Sequence, residues 1–476
     1  MKRMNPVLCL SLGALLCLGG CSLAPEYTRP EAPVPAAWPA GPAYDNAPVS
    51  PDAPPAAEMP WKEIYADARL QRVIEAALAN NRDLRIAALN AERARAMYGV
   101  QRAALYPTVD AEARGAKQRV PADLSRSGSV SRPEEYNVNL GIASWEIDFF
   151  GRIRSLKDAA LEEYLATEQA RRGARILLVS GVANAWLSLA ADRENLRLAQ
   201  STIETQRSAY DLIRKRYDVG LSPELDLRQA QTRVDTARVD AALYARQVAQ
   251  DQNALDLLVG SKVPAELLPA DLSTVIPPKE IAAGLPSDVL LRRPDILQSE
   301  SRLKAVNANI GAARAALFPR ISLTASFGTT STELDRLFSN GQGSWNFASG
   351  VVLPIFDARA WAALDVVKIE RELAQAQYEK AIQSAFREVA DALAAKGTIE
   401  EQLAAQQSLT EAVEVTYRLS NQRYEKGIDS FLGVLDAHRS LYAAQQGLIS
   451  TRLAQLAARV NLYSVLGGGD DPDEVR

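Results

Sequence analysis

Apolar and polar residues alternate strictly in four short stretches. Between Pro107 and Arg114, Val109, Ala111 and Ala113 interleave with Thr108, Asp110, Glu112 and Arg114. Over 136–142, Tyr136, Val138, Leu140 and Ile142 fall on one face, Asn137 and Asn139 on the other. Ile321, Leu323, Ala325 and Phe327 alternate with Ser322, Thr324 and Ser326; a fourth stretch sets Trp345, Phe347, Val351 and Leu353 on one side. A period of two marks a strand with one apolar and one hydrophilic face, which predicts four strands of roughly 9 to 12 residues. Polar loops near 117–134 and 330–343 pair them into two β-hairpins.

The rest follows a helical period. One helix is expected from Asp67 to about Leu105, where Tyr106-Pro107 stops it. Stretches 155–217 and 361–424 carry no Pro and a steady scatter of Leu, Val and Ala. A helix of that size is on the order of 90 Å long, far beyond a globular helix, and reads as coiled coil. Each reaches a similar break, Arg216-Tyr217-Asp218-Val219-Gly220 and Arg423-Tyr424-Glu425-Lys426-Gly427. Gly220 and Gly427 suit helix ends, and Ser222 and Ser430 suit the next N-caps. Returning helices run to Leu258 and Leu466.

These units are copies. An offset of 207 carries Val182-Ala183 to Val389-Ala390, Arg216-Tyr217 to Arg423-Tyr424, Gly220 to Gly427, Ala230 to Ala437 and Gly260 to Gly467. An offset of 212 lays residues 102–107 on 314–319 and Asp83 on Asp295. The chain therefore divides into a first repeat at 67–260, with β-hairpin 107–146 and helical hairpin 155–258, and a second at 287–467, with β-hairpin 319–354 and helical hairpin 361–466. A connection at 261–286 and a tail at 468–476 complete it.

Composition adds an address. Eleven of 25 prolines lie between Pro25 and Pro60, so 21–66 reads as an extended strap. Lys2, Arg3 and the apolar run from Val7 to Leu18 make residues 1–20 an export signal. The signal ends in Leu18-Gly19-Gly20-Cys21, which resembles a bacterial lipobox; ordinary cleavage with Cys21 incidental is the other reading. The mature chain has no second Cys, so its stability comes from packing or assembly. Ser22, where Asp would resemble a retention signal, fits travel to the outer membrane. The formal charge of -4 argues against nucleic acid. No run after residue 20 is apolar for about 18 residues, which excludes a helical span.

Strands with one apolar face need a covering partner, either another sheet or lipid. Four strands cannot close a wide barrel, and open edges are prohibitive in hydrocarbon. A barrel shared between several chains meets both conditions; a sandwich beside a coiled coil is the alternative. Tyr136, Trp345 and Phe347 would then face lipid or a sandwich core.

At this point the sequence resembles a known family. The Cys21-Ser22-Leu23 start with RPEAPVP, residues 145–170, RYDVGLSPELDLRQAQ at 216–231, LPSDVLLRRPDI at 285–296, IGAARAALFP at 310–319 and RYEKGIDSFLGVLDAHRSL at 423–441 are similar to the TolC family of outer-membrane efflux proteins, in its lipoprotein branch resembling OprM. The resemblance implies a mixed α/β membrane protein: a homotrimer whose twelve strands form an outer-membrane β-barrel, with a long α-helical barrel in the periplasm and an α/β equatorial domain. It implies N-palmitoyl and S-diacylglycerol groups on Cys21 and no other cofactor. The partners implied are a periplasmic adaptor, an inner-membrane pump of RND type and outer-membrane lipid. The function implied is a passive exit duct for drug-like molecules in a Gram-negative bacterium. Alternatives are a duct for type I protein secretion or metal export, and a periplasmic coiled-coil adaptor lipoprotein.

The family also implies a gate at the helical tips. Asp436 matches one of its ring aspartates, Gly433 departs from a second acidic position, and Asp226 occupies a similar place in the first hairpin. A threefold carboxylate ring would attract cations, whereas a solvated helix start also suits Asp. Arg216, Tyr217, Arg423 and Tyr424 are either links between hairpins, part of an adaptor surface, or helix-end packing. Gly220 and Gly427 are expected as turns. No phosphate-cradling loop, HExxH or Cys-His pairing is present, so no catalytic or metal residue is expected. His438 is expected to be an ordinary surface or groove residue.

Overall fold

A computed structural model describes residues 22–44, 59–281 and 287–468. The signal 1–20, Cys21 and most of the 468–476 tail lie outside them. In chain order the main elements are α1 (Trp61–Ile64), α2 (Ala68–Asn80), α3 (Arg82–Ala103), β1 (Val109–Lys117), β2 (Glu134–Ile147), α4 (Arg152–Asp218), α5 (Glu224–Val259), α6 (Pro294–Ala315), β3 (Arg320–Ser331), β4 (Gly343–Val352), α7 (Ala358–Glu425) and α8 (Phe431–Val465). They fall into two compact units, one of residues 1–31, 90–167 and 299–378, the other of 32–89, 168–298 and 379–476.

The first unit holds one antiparallel sheet in the order β1-β2-β3-β4. Register puts Ala111, Leu140, Phe327 and Trp345 in one cross-strand row, and Val109, Ile142, Ala325 and Phe347 in the next. On the other face Glu112, Asn139 and Gly328 line up with Ser344. The apolar face is bare: Phe327 is 64%, Phe347 62% and Trp345 81% exposed. Among the described residues β1 and β4 are both open edges.

β2 ends at Ile147, five residues past the alternating stretch 136–142 and one past the expected hairpin bound at 146. Ile142 pairs with Ala325 and Trp145 with Leu323, so two residues oppose Thr324 alone. This is a β-bulge, with Ser144 at φ 52° and its N–H donating to Thr324 Oγ1 at 3.1 Å. The extra residue returns Trp145 and Ile147 to the apolar face and turns Glu146 to the polar one. There Arg152 grips Glu146 with two bonds of 2.8 Å, and Arg320 lies 3.4 Å away. Asp148 accepts from the backbone N–H groups of Ile153 and Arg154 and so starts α4; Asp357 does the same for α7 through Arg359.

The second unit buries its core between α2, α4, α7 and α8, with Ile74, Trp186, Val182, Val389 and Val460 fully enclosed. The connection 261–281 is clipped to α4 through Trp186 Nε1 on the Leu267 carbonyl, Arg193 on the Pro269 carbonyl and Arg197 on Asp271. Buried Arg293, from the LPSDVLLRRPDI stretch, joins Asp295, Glu388 and the Val465 carbonyl.

Three expectations are corrected. The single helix from Asp67 to Leu105 is two, because Asn81 leaves helical geometry, accepts from Leu84 N–H and donates to the Leu258 carbonyl. Pro223, not Ser222, is the N-cap of α5, and Ser430 caps α8 without a side-chain bond. α4 does contain an 18-residue window long and apolar enough to cross a membrane, although more than half of it is buried. Ser180, Asn184 and Ser188 interrupt the apolar run there without lowering its average far enough.

Candidate gate at the helical hairpin tips

The two hairpin turns repeat each other down to their backbone bonds. In the first, Leu221 N–H reaches the Arg216 carbonyl at 2.8 Å and Gly220 N–H the Tyr217 carbonyl at 2.9 Å. In the second, Ile428 reaches Arg423 and Gly427 reaches Tyr424, both at 2.9 Å. These are Schellman ends, which need a residue at positive φ; Gly220 has 74° and Gly427 71°. The glycines therefore act as turns.

One position breaks the symmetry. Asp429 follows the second turn where the first has Ser222. Arg423 is consequently held in its own turn by a forked pair with Asp429, at 2.5 and 3.1 Å. Arg216 has no such partner and reaches across to donate to the Tyr424 hydroxyl at 3.0 Å. Tyr424 also packs on Phe431, 5.2 Å between ring centroids. Beneath them Ile213, Ala230, Phe431, Val434 and Leu435 form a small buried core shared by both hairpins. The arginine–tyrosine contact is thus a link between hairpins as well as end packing. Tyr217 is exposed and contributes its carbonyl to the turn.

The two aspartates have different partners and are not repeat counterparts. Under the repeat offset Asp226 corresponds to Gly433, and Asp436 to Gln229. Asp226 is half-buried and accepts from Ser222 Oγ at 3.1 Å. Asp436 stands on the exposed side of α8, opposite buried Leu435 and Ala437. It is bonded to Arg439 Nη2 at 2.5 Å, so this carboxylate carries its own counter-cation. Arg439 and Asp429 are the tip residues that sequence reading missed. The i,i+3 spacing of Asp436 and Arg439 was the available signal. His438 is half-buried edge-on to Tyr417 at 5.1 Å, and burial followed by Arg233 holds its pKa below the ordinary value. Leu221, Leu225, Ile428 and Leu432 are exposed in repeat-related pairs.

Comparison with known proteins agrees across the chain. The sequence profile of the family described as Outer membrane efflux protein matches residues 73–261 and 285–468. The toluene efflux pump outer membrane protein TtgC of Pseudomonas putida is 50% identical over 456 residues, 95% of this chain and 93% of that protein. The antibiotic efflux pump outer membrane protein ArpC of Pseudomonas putida matches over the same length at the same identity and coverage. The open-state Neisseria gonorrhoeae MtrE outer membrane channel superposes with a TM-score of 0.85 at 37% identity, covering 94% of this chain and 98% of that one.

Proposed function

This chain belongs to the outer membrane efflux protein family and is an outer-membrane efflux channel with the TolC-like fold, and we propose that it serves as the passive exit duct of a tripartite system. Three copies would each lend four strands to a twelve-stranded barrel and four long helices to a periplasmic tunnel. What supports this is the sheet. Its apolar face is bare, its edges β1 and β4 are unpaired, and a barrel closed from several chains covers the first and removes the second.

The energy would come from an inner-membrane pump of RND type, reached through a periplasmic adaptor. The exposed pairs Leu221/Leu225 and Ile428/Leu432 suit adaptor contact. Cargo of the drug and solvent class follows from the relatives' names. Cys21 would carry N-palmitoyl and S-diacylglycerol groups, since more than one chain gives durable anchoring. Arg216 with Tyr424 would latch the closed state, and Asp436 with Arg439 would line the constriction. Arg423 and Tyr217 would shape the turns, and Asp226 would sit beside the constriction.

The test is the oligomer. Detergent-extracted protein should be a trimer that conducts ions in a planar bilayer, and Cys21→Ala should abolish acylation. A stable water-soluble monomer overturns the reading.

A further inference from the structure

Residues 22–29 do not hang free of the first unit. The Leu23 carbonyl accepts from Arg314 Nη1 at 3.0 Å, and the Pro25 carbonyl from Asn307 Nδ2 at 2.8 Å. The Tyr27 hydroxyl and Arg29 guanidinium both donate to Glu300, at 3.2 Å and at 3.1 and 2.6 Å. Glu300, Asn307 and Arg314 are seven residues apart, two helical turns each, so they form rungs on one face of α6. The strap runs antiparallel to the helix.

The lengths agree. Fourteen helical residues rise about 21 Å. The six steps from Arg29 to Leu23 span about 19 to 20 Å when extended. The strap thus covers this face of α6 from end to end, with a bend at Ala24 beside the uppermost rung. Gly311, between the upper two rungs, admits it: a Cβ there would lie 2.7 Å from Ala24 N and 2.6 Å from Ser155 Oγ. Glycine is disfavoured inside a helix, so close approach of the strap accounts for its presence. Glu300 is only 3% exposed, and Lys304 adds a further donor at 3.1 Å. Burial alone would raise its pKa, but Arg29 and Lys304 hold it below the usual carboxylate range. A buried carboxylate served by two strap side chains is a built contact rather than a chance one.

The upstream end of the ladder is at Arg314, six residues before β3 begins at Arg320. We propose that the strap is a ruler, which holds the acylated amino terminus at the level where the barrel strands start. The lipid would then set the height of the barrel in the membrane rather than tether it loosely. This inference rests on the reading of Cys21 as the acyl carrier.

Chymotrypsin treatment of the full-length trimer tests it, because cleavage after Tyr27 releases the amino-terminal fragment for mass determination. The wild type should resist. Two variants should be cut readily while remaining trimeric: Tyr27→Phe with Arg29→Gln, which alters only the strap, and Gly311→Val, which fills the notch. Equal cleavage of wild type and variants, with an acylated fragment, overturns the ruler alone. An unacylated fragment overturns the anchor reading and the ruler with it. A second arm inserts eight Gly/Ser residues between Ser22 and Leu23, leaving every rung in place. Loss of folded trimer from the outer membrane is expected, and an unchanged yield with unchanged export overturns the proposal.

Discussion

Arg216 of the first helical hairpin donates to the hydroxyl of Tyr424 in the second, at 3.0 Å, while its repeat counterpart Arg423 stays bound to Asp429. The link depends on Ser222 being unable to do for Arg216 what Asp429 does for Arg423. Loss of one exposed hydrogen bond is worth about 1 kcal/mol, roughly fivefold in a two-state equilibrium. Tyr424→Phe and Arg216→Ala should therefore raise the open fraction about that much per protomer in single-channel records. The double variant should match Arg216→Ala, which also takes the guanidinium from over the Tyr424 ring, 5.6 Å from its centroid. Ser222→Asp should do the same by drawing Arg216 into its own turn.

Asp436 and Arg439 neutralise each other in an exposed i,i+3 pair. Replacing Asp436 by Asn should leave three uncompensated arginines and shift ion preference toward anions; Arg439→Ala should shift it toward cations. Reversal potentials across a salt gradient measure both. If neither substitution moves them, this side of α8 does not line the conduction path.

Much of the fold was legible because its signals are local. Strand faces follow from alternation, and the Schellman turns from a glycine at a fixed distance from Arg-Tyr. What escaped was set by partners distant in sequence or by a break in period. The face of Trp145 and the strand position of Ile147 were hidden because the bulge at Ser144 shifts their parity. Asn81 reads as an ordinary polar helix residue until the Leu258 carbonyl appears beside it. The Arg216–Tyr424 bond joins residues 208 positions apart, and no pattern along the chain announces it. Arg439 was within reach of a spacing rule, whereas the orientation of α8 that exposes it was not.

Asp251 on α5 meets Asp192 on α4 across the first helical hairpin. Burial, followed by the Asp192 carboxyl, pushes its pKa up to about 6. The folded chain thus holds a proton to higher pH than the unfolded one. Stability should fall as pH rises from about 4 to about 6 and be level above that. Thermal melting of the trimer through this range should show the slope, and Asp251→Asn should flatten it. An unchanged slope in Asp251→Asn would overturn this assignment.

Gly260 and Gly220 share a φ of 74° but not their surroundings. Alanine at Gly220 meets nothing within 4 Å, so only the left-handed backbone costs, about 1–2 kcal/mol. At Gly260 the new Cβ would also lie 2.5 Å from the Asn80 carbonyl oxygen. Gly260→Ala should therefore lower the melting temperature more than Gly220→Ala. The reverse order would contradict the packing of α5 against α2.

The bulge in β2 gives that strand an unusual tolerance. In a regular strand, deleting one residue exchanges the two faces from that point onward. Here a residue is already in surplus opposite Thr324. Deleting Ser144 would leave Trp145 and Ile147 in phase with Ile142, and Glu146 still beside Arg152. The lesion would take away a bend without moving a single side chain to the wrong solvent. The surplus residue therefore encodes curvature, and the assignment of lipid and water along β2 survives its loss.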